Sequence, residues 1–174
     1  MISRRDVLKF FLSSSLFSWA KKMEDIVIKG CVVKRDRLYR VNEDRMLFQW
    51  VKEEGRGVYS VGFMSILASL AYPLYSIKIK PVGTVLEYDD NLAVIEAGKR
   101  VSTFPTPIGG KVVEINASLE KDPSPIVSSP YETWIVKIAS SDVESLKRLK
   151  TADEIAKVVE SIIIREGIEC LPKR

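Results

Sequence analysis

Apolar and polar positions change rhythm along the chain. From Ile26 to about Ile138 the apolar residues come in short, β-rich runs: Ile26-Val27-Ile28, Val32-Val33, Met46 to Val51 and Val58 to Val61. Ser76-Ile77-Lys78-Ile79-Lys80 alternates with period two, the pattern of a half-buried strand. Glu54-Gly55-Arg56-Gly57 reads as a hairpin turn, and Met64 to Ala71 has helical spacing sufficient for about two turns. Pro81/Gly83, Pro105/Pro107 and Gly109/Gly110 interrupt any longer helix. Many short strands between turn residues predict a small barrel or sandwich.

Beyond Ile138 the period becomes helical. Ser140-Ser141-Asp142 supplies N-cap oxygens ahead of Val143, Leu146 and Leu149. Thr151 and Asp153 open a second helix, with Ile155, Val158, Val159 and Ile162 forming an apolar stripe to pack on the body. Gly167 is the expected stop.

One internal echo links two of the strand regions. Residues 83–92 (GTVLEYDDNL) align with 110–119 (GKVVEINASL), sharing Gly, Val, Glu and Leu at a shift of 27. Two similar strand-turn-strand units predict an approximately two-fold barrel.

The first 22 residues have their own pattern. Ser3-Arg4-Arg5-Asp6-Val7-Leu8-Lys9 precedes an uncharged run from Phe10 to Ala20, then Lys21-Lys22. The run is too short for a membrane-spanning helix, which takes about 20 residues. It fits the apolar region of a signal peptide with Ser18-Trp19-Ala20 as a cleavage site. The paired arginines are similar to a twin-arginine export signal, which usually has Phe where Val7 stands. A helix docked on the body and a true start at Met23 are the alternatives.

Composition narrows the chemistry. The chain of 174 residues has no histidine and two cysteines. That excludes histidine-based triads and His-ligated zinc, and two distant thiols do not form a structural zinc site. Cys31 is expected to be buried, with pairing to a cofactor thiol as its alternative; Cys170 is expected to be exposed and incidental. Trp50 and Trp134 are expected in core or rim packing. The formal charge of +4 is unevenly placed: residues 1–40 carry ten Lys/Arg and four Asp/Glu, whereas residues 41–174 carry seventeen and nineteen. A slightly acidic body argues against a nucleic-acid partner, and no membrane role is expected for it.

Between the two repeat copies, residues 92–104 read as a hairpin with Gly98 and Lys99 at its tip. Glycine supplies the positive φ of a tight hairpin turn. A lysine there projects from a rigid base, as a modification site or swinging-arm carrier requires; a plain solvated charge is the ordinary alternative.

The stretch from about Gln49 to Val159 resembles the H protein of the glycine cleavage system, a lipoyl carrier. The resemblance is carried by Trp50-Val51-Lys52 with Gly57 and Val61-Gly62; by Pro81-x-Gly83; by Val94-Ile95-Glu96-x-x-Lys99; by Pro107-x-x-Gly110-x-Val112-Val113-Glu114-x-Asn116-x-x-Leu119; and by Pro123, Pro130-Tyr131 and Trp134. It implies a mainly β fold, a small barrel-sandwich hybrid of the lipoyl/biotinyl-carrier type with C-terminal helices. It implies lipoate in amide linkage to Lys99, with Glu96 and Gly98 shaping the hairpin for a lipoylating enzyme; a plain turn carboxylate near Arg100 is the alternative for Glu96. Gly98 and Arg100 stand where biotin carriers place Met. The implied role is a carrier, not an enzyme.

Other positions depart from that pattern. Phe48-Gln49-Trp50 replaces His-x-Trp, Phe63-Met64-Ser65-Ile66 replaces the usual Ile-Thr-Asp-Tyr, and Thr133 replaces Gly. These differences, with the Pro-x-Pro after the hairpin and Cys31, resemble a divergent lipoate-binding branch that works with heterodisulfide-reductase-like complexes in sulfur oxidation. The cargo is then either a sulfur intermediate or an aminomethyl group from glycine, and the partner enzymes belong to one system or the other. An unmodified barrel serving as a scaffold is the remaining alternative, motivated by Arg100 beside Lys99. The expected organisation is a signal-like or loose segment at 1–22, an arm at 23–40, the lipoyl-carrier-like unit at 41–166 and a tail at 167–174. The expected location is the cytoplasm, with export through residues 1–22 as the alternative.

Overall fold

The computed structural model of the chain describes residues 23–170; the signal-like reading of residues 1–22 lies outside them. Eleven short strands are described. β1 (Ile26–Ile28) and β2 (Cys31–Val33) form a hairpin. β3 (Leu38–Asn42), β4 (Leu47–Gly55), β5 (Val58–Phe63), β7 (Val85–Leu86), β10 (Gly110–Ile115) and β11 (Val136–Ala139) make a six-stranded sheet in the order β3-β4-β5-β11-β10-β7. β6 (Leu74–Ile79), β8 (Asn91–Ala97) and β9 (Arg100–Pro105) make a three-stranded sheet in the order β6-β8-β9. All pairings are antiparallel. The result is the mainly β barrel-sandwich expected from the strand pattern.

The two larger sheets enclose one apolar core. Ile77, Ile79, Ala93, Ile95 and Phe104 face Val51, Val61, Phe63, Val112, Val136 and Ile138, all buried. Phe63 and Phe104 stack across the seam with ring centroids 4.9 Å apart. Burial at about 25 cal/mol per Å² of apolar surface is what holds the sheets face to face.

The repeat is realised as pairing between its own copies. β10 runs against β7 with Gly110 opposite Leu86 and Lys111 opposite Val85. A shift of 27 maps the Val85/Lys111 pair onto Val112/Thr84, and the Val112 N–H does donate to the Thr84 carbonyl at 2.9 Å. The two copies therefore meet about a local two-fold, and each ends in a buried leucine, Leu92 and Leu119.

A second core lies outside the barrel. It joins Val33, Tyr39, Phe48, Trp50, Met64, Ile66 and Tyr131 to the buried face of the terminal helix. Four short helices carry the connections: α1 (Ser65–Leu70), α2 (Ser124–Ser128), α3 (Val143–Lys147) and α4 (Ala152–Glu166), with a 3-10 turn at Ala117–Glu120. Asp142 caps α3 by accepting the Ser145 N–H, and Thr151 with Glu154 forms a reciprocal capping box on α4. Gly167 ends α4 in the left-handed conformation. Ile155, Val159, Ile162 and Ile163 are buried, whereas Val158 is exposed, so the buried stripe is shifted from the predicted one, with Ile163 in place of Val158. No helix among the described residues is long and apolar enough to cross a membrane.

The cysteines correct one expectation. Cys31 is buried as expected, but Cys170 is not incidental: the two form a disulfide, with Cα atoms 4.9 Å apart at a sequence separation of 139. Folding brings β2 beside the segment after α4, which sequence distance conceals.

Candidate functional site

β8 and β9 pair down to Ala97 opposite Arg100, leaving Gly98 and Lys99 as a two-residue turn. Gly98 has φ +58°, and the non-glycine residues with positive φ do not include Lys99. Positive φ at the first turn position alone is what a type II′ hairpin demands, and glycine meets it without a Cβ clash. A Cβ built on Gly98 would meet nothing within 4 Å, so only the backbone conformation selects glycine there. Lys99 is exposed on the far side of the turn.

The turn is braced from a distant segment. The Gly98 N–H donates to the Pro73 carbonyl at 2.9 Å, and Leu74 lies opposite Ala97. Residues 72–75, from the loop after α1 into the start of β6, therefore sit against the tip. A register shift between Leu74 and Ser76 turns Tyr75 outward, and Tyr72 is exposed beside it. Sequence reasoning did not single out these residues. The signal was two tyrosines flanking a proline, with nothing to say what they would stand next to.

Glu96 lies on the outer face of β8, paired with Ser76 on one side and Val101 on the other. Its carboxylate accepts the Ser76 hydroxyl hydrogen bond at 3.2 Å. Among the described residues it makes no ion pair with Arg100. Glu96 is thus oriented three residues ahead of the lysine by a neighbouring strand rather than by a neighbouring charge.

The base of the hairpin is tied to the large sheet. Buried Gln49 donates from Nε2 to the Pro105 carbonyl at 2.7 Å, and Arg40 donates to the Thr106 carbonyl at 3.0 Å. Arg40 also pairs with Asp89 and stacks on Tyr88 at 4.6 Å. The Arg40 guanidinium, followed by that of Arg45, holds the Asp89 carboxyl below the usual range against the opposing effect of its partial burial. The tip is solvent-exposed and the base is buried and cross-linked, which lets a side chain project without the strand moving.

Chemically, the described residues offer no cluster of His, Cys, Asp or Glu suited to a metal ion. What the hairpin offers is one amine, exposed at a braced turn. Trp50, the tryptophan of the early hairpin, is a structural anchor: it is 2% exposed, donates to the Pro130 carbonyl at 2.9 Å and lies under the Arg37 guanidinium at 4.6 Å. Trp134 lies at the rim beneath the Lys137 ammonium.

Comparison with known proteins fits this architecture. A family profile described as glycine cleavage H-protein matches residues 38–162. Glycine cleavage system H protein 1 of Aquifex aeolicus is 61% identical over 135 residues, covering 78% of this chain and 94% of the relative. H protein 5 of the same organism is 35% identical over 82% of this chain and 97% of its own length. A probable H protein 2 of Sulfolobus acidocaldarius is 30% identical over 83% of this chain and 97% of its own length. A crystal structure of a glycine cleavage system H protein from Mycobacterium marinum superposes with a TM-score of 0.60 at 22% identity, covering 78% of this chain and all of that one. The chain belongs to the glycine cleavage H-protein family, whose members are carrier proteins rather than enzymes.

Proposed function

We propose that Lys99 is the attachment point of a lipoyl group, and that the chain carries a reaction intermediate on that arm between the enzymes of the glycine cleavage system. The observation that carries this reading is the placement of Lys99: an exposed amine on a type II′ turn whose base is locked by Gln49, Arg40 and the Pro73–Gly98 bond. A neutral Lys99 Nζ attacks the carbonyl carbon of an activated lipoyl ester. The C–N bond forms, the bond to the leaving group breaks, and the amine gives up a proton. The amide carries no charge. When attached, the lipoyl group supplies a disulfide/dithiol pair, and the redox chemistry belongs to it. The protein's own residues hold the arm's root in place, and Glu96, oriented by Ser76, contributes to recognition of the hairpin by the lipoylating enzyme.

A second reading keeps the lipoyl arm and changes the cargo to a sulfur intermediate passed to a heterodisulfide-reductase-like complex. Phe48-Gln49-Trp50 in place of His-x-Trp and the Pro105-x-Pro107 after the hairpin are the departures that favour it. The cytoplasm is the proposed location. The Cys31–Cys170 disulfide favours the exported alternative, because such bonds persist in oxidising compartments.

Intact mass of the protein from its own organism, followed by peptide mapping, tests the reading. A lipoyl-sized increment on Lys99 is expected. An unmodified Lys99 in cells that lipoylate other proteins would overturn it in favour of an unmodified scaffold. The same spectrum shows whether the mature chain starts at Met1, near Lys21 or at Met23.

A further inference from the structure

The surface around the Lys99 turn is cationic, although the body as a whole is slightly acidic. Residues 41–174 carry two more acidic than basic residues. Yet the outer face of β6-β8-β9 and its tip hold Lys78, Lys99 and Arg100, all exposed, against Glu96. None of these three cations takes part in an ion pair among the described residues. Apolar surface lies among them. Tyr72, Tyr75 and Val101 are 62%, 60% and 71% exposed, and Val94 is partly so. Tyr72 and Tyr75 are the only aromatic residues among the exposed large hydrophobic side chains of the described residues, and both belong to the segment that braces the tip.

The geometry makes this one patch. Lys78, Val94 and Thr103 form one cross-strand row, and Ser76, Glu96 and Val101 the next, nearer the turn. At about 3.3 Å per residue, the Lys78 row lies roughly 13 Å from the turn. A standard interface covers about 800 Å² per partner, a disc of roughly 16 Å radius, so a protein seated on Lys99 reaches both rows.

We infer that this patch is the docking surface of the enzyme that acylates Lys99, and that the enzyme meets it with an apolar centre rimmed by carboxylates. The inference rests on the lipoyl-carrier reading. An enzyme forming an amide at Nζ has to bring its activated acyl group to the turn, and so covers the side chains around it. It meets the chain while Lys99 is still an amine, when all three cations are present. Exposed tyrosine and arginine are the residue types that anchor interfaces, and unpaired rim charge steers encounter with a surface of opposite sign. Acylation removes one of the cations, which weakens the contact with the product and favours release.

The test uses the full unmodified chain, its cognate lipoate–protein ligase, ATP and lipoate, with lipoylation followed by intact mass across a salt series. Lys78→Glu combined with Arg100→Glu is expected to lower kcat/KM at low salt at least tenfold and to flatten its salt dependence. Tyr75→Ala is expected to lower it several-fold with little change in salt dependence. Lys157→Glu, on the exposed side of α4, is the control expected to match wild type. Unchanged melting temperatures show that the variants fold. Wild-type rates for the double variant at every salt concentration would overturn the docking surface and leave the carrier reading intact. Normal lipoylation with impaired turnover by a downstream enzyme would assign the patch to that enzyme and overturn this inference. A wild-type chain that accepts no lipoate would overturn both.

Discussion

Gly62 shows how one residue sets the position of another. A Cβ there would lie under 3.0 Å from Cζ2 and Cε2 of the Trp50 indole, which is fixed by its bond to Pro130 and by Arg37. The indole has nowhere to retreat. Gly62→Ala is expected to cost about 1–3 kcal/mol by overpacking, measured by urea unfolding. Asp89 is held differently, by charge. Its φ of +74° is one that Asn tolerates, so Asp89→Asn removes the charge and spares the backbone. Because Arg40 and Arg45 lower its folded pKa, the link to them is fully present above the ordinary carboxylate range and is lost as pH falls through the lowered value. The stability gap between wild type and Asp89→Asn is therefore expected at pH 7 and should close progressively below about pH 4; a gap that stays constant to pH 2 would show that the charge is not its cause.

At the scale of elements, the decisive unit is the β8–β9 hairpin. Its rigidity comes from pairing on both sides of β8 and from the Pro73 carbonyl at the turn. Gly98→Ala keeps the space but forces an alanine into positive φ, so a local cost of about 1 kcal/mol is expected. The consequence to measure is a slower lipoylation rate, with Gly98→Asn closer to wild type. The helices obey local rules more simply. Thr151→Ala removes one half of the α4 capping box and is expected to cost about 1 kcal/mol in thermal unfolding. Much of this scale was legible in the sequence: the Gly98-Lys99 turn, the caps at Asp142 and Thr151, the stop at Gly167 and the 27-residue repeat all rest on local chemistry. β3 was not legible. Arg37-Leu38-Tyr39-Arg40 reads as part of a charged arm, but Arg37 and Arg40 are buried because carbonyl oxygens, carboxylates and aromatic faces receive their guanidinium groups.

Across the whole molecule, the two cores are joined by β4, whose Val51 lies in the barrel and whose Trp50 lies outside it. The outer core closes between the β1–β2 hairpin and α4, and the Cys31–Cys170 disulfide fastens it. A cross-link over 139 residues restricts the unfolded chain strongly. Cys170→Ser is expected to lower stability by about 2–5 kcal/mol, and reductant should lower the wild type's stability towards the same value while leaving the variant unaffected. If reductant destabilises both equally, the bond is absent in solution.

The sequence by itself determined what depends on neighbours within a few residues. Alternation made strands, glycine at a two-residue gap made the lysine turn, caps set the helix ends, and the repeat implied a two-fold pairing that the register then satisfied. The absence of histidine removed whole classes of chemistry. The tertiary structure decided what depends on segments far apart in sequence: that Pro73 braces Gly98, that Ser76 orients Glu96, that a segment with two exposed tyrosines packs against the lysine turn, and that Cys31 meets Cys170. Local propensity carries no information about such encounters, because the apolar burial that drives them is non-directional. Only the closed fold selects which surfaces meet.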